Sequence, residues 1–184
     1  MKKETYLKIM NKLENDELAL YVSGFTTIFV FLIAVFYIIL FGYQYFLSDK
    51  GFGFYVNPKD IKQINYVLVP LIGFIFVTIF RKKYNKQRPY ELYEFTPLYR
   101  KYKNPAKRKH GQSFPSRHVY SAFAIGMACL SVNPIIGIGV LVMGFWLAIF
   151  RVVMGVHFPS DVIAGALIGI FLGLIGNFIL PAIL

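Results

Sequence analysis

Cysteine is almost missing from this chain. The single one, Cys129, falls within an apolar run, which excludes a disulfide framework and a thiolate metal site and leaves a small buried or lipid-facing side chain as its expected role. Acidic residues are scarce too: 9 Asp+Glu stand against 20 Lys+Arg, a formal charge of +11. With so few carboxylates and only three histidines, the available ligands argue against a metal site, and no cofactor is expected. No stretch reads as a linker between two cores, so a single domain over residues 1–184 is expected. What the chain has in abundance is apolar sequence, 57% hydrophobic and 18% aromatic with positive mean hydropathy. Few soluble domains have that composition, and an integral membrane protein is the leading class. The basic excess sits in one loop bracketed by apolar spans, which fits membrane orientation and anionic headgroups. Nucleic-acid binding is the weakest reading, because no corresponding fold signature is present.

Residues 1–17 are polar, with Tyr6, Ile9, Met10 and Leu13 at helical spacing, and read as an amphipathic helix lying on the interface or as a solvated tail. From Leu18 to Leu47 the chain carries no charge. At helical rise that run is about 45 Å, more than a ~30 Å hydrocarbon core needs and too short for two spans. It is also far longer than the ~7–15-residue core of a cleavable signal peptide, so none is expected. Ser48 to Gln63 reads as a turn-rich loop and Asn65 to Phe80 as a second span. A long basic segment, 81–118, precedes a third span, Val119 to Val132. After an Asn133-Pro134 turn come Ile135 to Phe150 and Val162 to Leu184, the last with Gly165, Gly169 and Gly173 on one face, where another helix can approach. The expected fold is therefore all-α, a bundle of about five transmembrane helices with a long basic loop between helices 2 and 3.

Three cationic clusters stand at the ends of these spans: Arg81-Lys82-Lys83-Tyr84-Asn85-Lys86-Gln87-Arg88-Pro89, Ser113-Phe114-Pro115-Ser116-Arg117-His118, and Arg151 to Asp161 with His157 between them. Five spans return all three to the same face. The segment from Arg81 to Arg117 holds 12 Lys+Arg against Glu91 and Glu94, while the loop from Ser48 to Gln63 is nearly neutral. The positive-inside rule then places the clusters and the N-terminus in the cytoplasm. Charged residues beside a bilayer are expensive unless they have a function, and these are the types that phosphoryl transfer requires. Arginine forks match phosphate oxygens, two histidines can serve as nucleophile and acid, and a carboxylate can orient one of them.

In order and spacing the clusters resemble the signature of the type 2 phosphatidate phosphatase (PAP2) superfamily, K-x6-R-P, P-S-G-H and S-R-x5-H-x3-D. The third motif matches from Arg151 through His157 to Asp161, with Phe150 in place of Ser. The second reads Pro115-Ser116-Arg117-His118, with Arg117 in place of Gly, and the first ends at Arg88-Pro89 with Arg81 seven positions before Arg88. The resemblance implies a membrane lipid phosphate phosphatase. His157 would be the nucleophile that becomes a phosphohistidine, Asp161 its hydrogen-bonded partner, and His118 the acid for the leaving alcohol. Arg88, Arg151, Ser116 and either Arg81 or Lys82 would hold phosphate oxygens. Arg117 would keep a backbone N–H for the phosphate, its side chain turned away or meeting a second phosphate or headgroup. The implied partner is a lipid phosphate, with phosphatidylglycerophosphate, phosphatidate and undecaprenyl pyrophosphate as candidates. A non-catalytic lipid-phosphate binding or transport protein is the alternative, and a haloperoxidase shares the pocket chemistry but is normally soluble.

Overall fold

The computed structural model describes residues 2–13, eight separate helical positions between Glu17 and Ile39, and residues 58–99 and 103–179. Among these are no strands. Helix α1 spans Lys3–Leu13, α2 Pro58–Tyr84, α3 Pro89–Leu92, α4 Arg117–Val132, α5 Pro134–Val153 and α6 Pro159–Leu174; a 3-10 turn covers Pro105–Lys107 and a π turn Ile175–Ile179. The five-helix membrane bundle expected from the sequence is the architecture found in outline. The greater part of its first span and of the loop after it lies outside the described residues.

Proline and asparagine set several of these boundaries. Pro58, Pro89, Pro134 and Pro159 each open a helix, where the missing N–H costs nothing and φ is already helical. Asn133 accepts from the N–H groups of Ile135 and Ile136 and so separates α4 from α5. The second span differs from its expected limits. It begins at Pro58, inside the expected loop, and continues into the first basic cluster as far as Tyr84, because Arg81, Lys82 and Lys83 are good helix formers whose charge suits a helix C-terminus.

Helix α4 stands at the centre, packed on α5 and α6, with α2 against both α4 and α6. The α4–α6 approach depends on the three glycines. A β-carbon at Gly165 would lie 2.6 Å from the Ser116 carbonyl oxygen, and one at Gly169 2.8 Å from that of Tyr120. At the α2–α4 contact, buried Tyr120 donates its hydroxyl to the Pro70 carbonyl at 2.9 Å. The outer faces are apolar and exposed: Leu71, Ile72, Phe76 and Ile79 on α2, Ile135, Val142, Phe145 and Trp146 on α5, and Ile163, Leu167 and Phe171 on α6. Contiguous exposed apolar faces of this extent fit a lipid surround. Among the described residues Pro134–Val153 and Pro159–Asn177 have the length and composition to cross a membrane.

Because the Gly169 contact is with backbone, no rotamer change can relieve it. Gly169→Leu is expected to separate α4 from α6 and destabilise the fold by about 3 kcal/mol, lowering the melting temperature in detergent by roughly 10 °C. Unchanged melting would show that the two helices are not held by this close approach.

Candidate active site

The close α4–α6 approach brings the second and third clusters together. Ser116, at the N-cap of α4, donates its backbone N–H to the Asp161 carbonyl at 2.9 Å, while Asp161 lies in the first turn of α6. Arg151 occupies the last turn of α5 and Arg81 the end of α2. The turn between α5 and α6 carries His157. Arg81, Arg88, Ser113, Ser116, Arg151, His157 and Asp161 are all buried, none more than 4% exposed. Burying three guanidiniums, an imidazole and a carboxylate is costly without compensation, so the concentration itself marks a site.

Each side chain has a definite setting. Asp161 accepts from the Phe158 N–H at 2.9 Å, from Ser113 Oγ at 2.5 Å and from Lys86 Nζ at 2.6 Å. His157 Nδ1 lies 3.6 Å from Asp161 Oδ2, beyond hydrogen-bond reach, and 3.5 Å from Ser113 Oγ. A serine hydroxyl has one proton, and Ser113 directs it to Asp161. Its oxygen can therefore only accept from Nδ1, which leaves the other ring nitrogen, Nε2, with its lone pair. Burial lowers the proton affinity of His157 below the usual histidine range; nearby Asp161 opposes this, while the charges of Arg88, Arg151 and Arg81 add to it. The ring is thus neutral at physiological pH, the state a nucleophile requires.

Arg88 is a strut in this structure, donating to the carbonyls of Gly111 at 3.0 Å, Val156 at 3.0 Å and Gln112 at 3.4 Å. Its own N–H is held by Glu91, which also accepts from Gly111 N–H. Arg81 donates to the Gln112 carbonyl. Lys82, one position on, is exposed and outside the cluster. Ser116 Oγ and His118 Nδ1 are buried polar atoms with no hydrogen-bond partner among the described residues, as expected of groups that await a ligand. Arg117 is directed to α2, with Nη1 3.4 Å from Thr78 Oγ1 and its guanidinium 5.5 Å from the Phe74 ring centre. The site therefore combines buried cations, a neutral imidazole and an unused hydroxyl beside a helix N-terminus, a combination suited to an anion.

The pattern described as the PAP2 superfamily matches residues 63–181. The chain belongs to this superfamily. Among solved structures, that of Aquifex aeolicus LpxE is similar, with 26% identity, a TM-score of 0.63, and coverage of 94% of this chain and 92% of that one. A transmembrane PAP2-type phosphatidylglycerolphosphate phosphatase from Bacillus subtilis shares the fold at TM-score 0.63 and 17% identity, covering 98% and 94% of the two chains. A lipid A 4'-phosphatase from Bacteroides thetaiotaomicron is 36% identical over 75 residues, 40% of this chain and 33% of that protein. The chain spans about half or less of the length of the curated relatives it matches.

Within this PAP2 chain the structure adds three residues to those singled out from sequence. Lys86 lies in the first cluster, two positions before Arg88, but its spacing matches no motif position. Its ammonium lies 4.7 Å over the Phe158 ring and 5.4 Å over Phe114, and it is the cation that reaches Asp161. Ser113 opens the second cluster and had no assigned part. The third is Tyr6, whose hydroxyl donates to the His157 carbonyl at 3.0 Å. Helical spacing placed Tyr6 on the apolar face of an interfacial helix or in a solvated tail; the structure instead packs that face on protein.

Proposed function

We propose that this PAP2 protein is a membrane-embedded, metal-independent phosphatase of lipid phosphates that works through a phosphohistidine. The observation that carries the reading is a buried His157 whose Nδ1 faces Ser113 Oγ, in a site where Arg81, Arg88 and Arg151 are buried too; burial and those charges lower its proton affinity. In the first step Nε2 attacks phosphorus and the ester P–O bond breaks. Burial and the nearby arginine charges keep the resting His118 neutral, so it takes up a proton as the anionic substrate enters and gives it to the departing lipid alcohol. In the second, His118 takes a proton from water, whose oxygen attacks phosphorus and breaks the P–N bond, releasing phosphate. Arg151, Arg81 and Ser116 receive the non-bridging oxygens, while Arg88 adds positive potential and holds the 111–112 backbone. Arg81, Arg88 and Arg151 are buried together with Ser116, and this cationic set supports a mechanism in which side chains, not a metal, offset the phosphate charge. Lys82 and Arg117 stand outside this inner set, where headgroups or a second phosphate would meet them.

The substrate class follows from placement. A site at the ends of apolar helices takes a molecule whose tail is in the bilayer, and phosphatidylglycerophosphate, phosphatidate and undecaprenyl pyrophosphate all qualify. The test is phosphate release by the purified protein from a panel of these lipids, with and without EDTA and vanadate. Release that ignores EDTA and is blocked by vanadate supports the reading. Binding of the lipids with no release would make the chain a lipid-phosphate binding protein instead.

The cytoplasmic facing rests on the charge of the 81–117 segment and is tested by labelling. Lys107 is exposed in that segment. In intact cells Lys107→Cys is expected to resist a membrane-impermeant thiol reagent until the membrane is permeabilised. Labelling from outside would reverse the assignment.

A further inference from the structure

Helix α1 lies outside the residues matched by the superfamily pattern, yet it reaches the centre of the site. The face carrying Tyr6 and Met10 is packed on protein, in a cluster with Tyr90, Phe95, Leu98, Tyr99, Met154 and Val156. The last two residues belong to the turn that carries His157. Tyr6 is fully buried. Its ring stacks on Phe95 at 5.6 Å and meets the edge of Phe158 at 6.2 Å, and its hydroxyl donates to the carbonyl of His157 itself, 151 positions away. It therefore grips two consecutive residues, one by backbone and the next by ring. The same turn contains Gly155 at φ +71, a left-handed conformation that glycine supplies without strain. Phe95 and Met10 fill the space where a side chain at Gly155 would lie. Burial, and secondarily the charge of Asp161, raise the proton affinity of the Tyr6 hydroxyl, so it keeps its proton and acts as donor.

We propose that Tyr6 is a positioning residue for the reaction, its hydroxyl holding the turn that bears the nucleophile through the His157 carbonyl. The inference rests on the phosphatase reading above. A glycine-containing turn has conformational freedom that must be removed if Nε2 is to stay in line with the phosphate, and misplacement by about 1 Å can cost on the order of 100-fold in rate. In the phosphatase reading Arg81, Arg151 and Ser116 receive the phosphate, and Tyr6 touches none of them in this structure, so turnover rather than substrate binding depends on Tyr6.

The test compares wild type, Tyr6→Phe and Met10→Ala, purified in detergent, with the lipid phosphate that wild type hydrolyses best in the panel. Tyr6→Phe keeps the ring in its cluster and removes only the hydroxyl. Its kcat is expected to fall about 10-fold with KM within twofold of wild type. Amide hydrogen exchange is expected to quicken in residues 154–158 and to stay unchanged in α4. Met10→Ala loosens the same cluster without touching the hydrogen bond and is expected to lose thermal stability while keeping kcat within about twofold. Equal kcat in wild type and Tyr6→Phe, or equal kcat losses in the two variants, would overturn the inference and leave the phosphatase reading standing. A wild-type protein that releases phosphate from no lipid on the panel would overturn that reading, and this inference with it.

Discussion

His157→Ala is expected to reduce phosphate release by about 10⁴-fold or more, with the protein still inserted and folded. Losses of that size follow removal of the attacking group in covalent catalysis, because whatever binding and electrostatic help remains no longer has a nucleophile to assist. Here the geometry supplies no substitute. His118 stands on α4 with the acid's role in the proposed mechanism, and the arginines are cations that cannot attack phosphorus. The fold has reasons to survive. The imidazole is neutral, so its removal strands no charge, and the Tyr6 bond is to the residue 157 carbonyl, which alanine retains. Because Arg81, Arg151 and Ser116 remain, vanadate should still bind, and its affinity is a check on the intact pocket. Phosphate release above about a tenth of the wild-type rate in a well-folded His157→Ala protein would sink the phosphohistidine mechanism.

Asp161→Asn is expected to have the next largest effect, a loss of about 10²–10³ in kcat with a small change in KM. The carboxylate makes three short contacts, with Lys86, Ser113 and the Phe158 N–H, and an ionised carboxylate can accept all of them. An asparagine has one acceptor oxygen and presents an NH₂ group to at least one of these donors. The Ser113 proton then loses its fixed destination, so its oxygen no longer holds Nδ1–H, and His157 can adopt the tautomer with its lone pair turned away from phosphorus. In serine-protease triads the same exchange costs about 10⁴ through the wrong tautomer. The smaller figure here reflects the indirect link through Ser113 and the 3.6 Å separation of ring and carboxylate. Lys86 is 30% exposed and can turn to water, so stability should fall far less than for a sealed ion pair. Steady-state kinetics on the preferred lipid, with melting in detergent alongside, decide this. A kcat within threefold of wild type would remove Asp161 from any orienting part.

The two mutations address residues that the sequence identified for a physical reason. A charge beside an apolar span is costly, so Arg151, His157 and Asp161 stand out against their flanks. Helical spacing did the same for the three glycines of α6, and it marked Tyr6 and Met10 as one face of a short helix. The Asn133-Pro134 boundary was legible in the sequence, whereas the helix starts at Pro58, Pro89 and Pro159 were not read from it. The expected loop up to Gln63 failed as a boundary because its last residues, from Pro58, are compatible with helix and continue the span that follows.

Other features belong to distances between elements remote in sequence. Arg81 and Lys82 were left as alternatives by the sequence. The helical phase of α2 decides that Arg81 is buried near the Gln112 carbonyl while Lys82 is exposed. Lys86 and Ser113 became partners of Asp161 only because a glycine face lets α6 approach α4 closely enough to bring the clusters together. Arg88 is recognisable as a motif residue, but its use as a strut between the 111–112 segment and Val156 depends on where those carbonyls point. The local sequence thus determined which residues are too costly to be incidental, and which faces are apolar, because charge and side-chain periodicity are properties of neighbours along the chain. The tertiary structure alone decided which cation meets which carboxylate, and that the first helix holds the turn carrying His157, because those contacts depend on how the helices and loops pack.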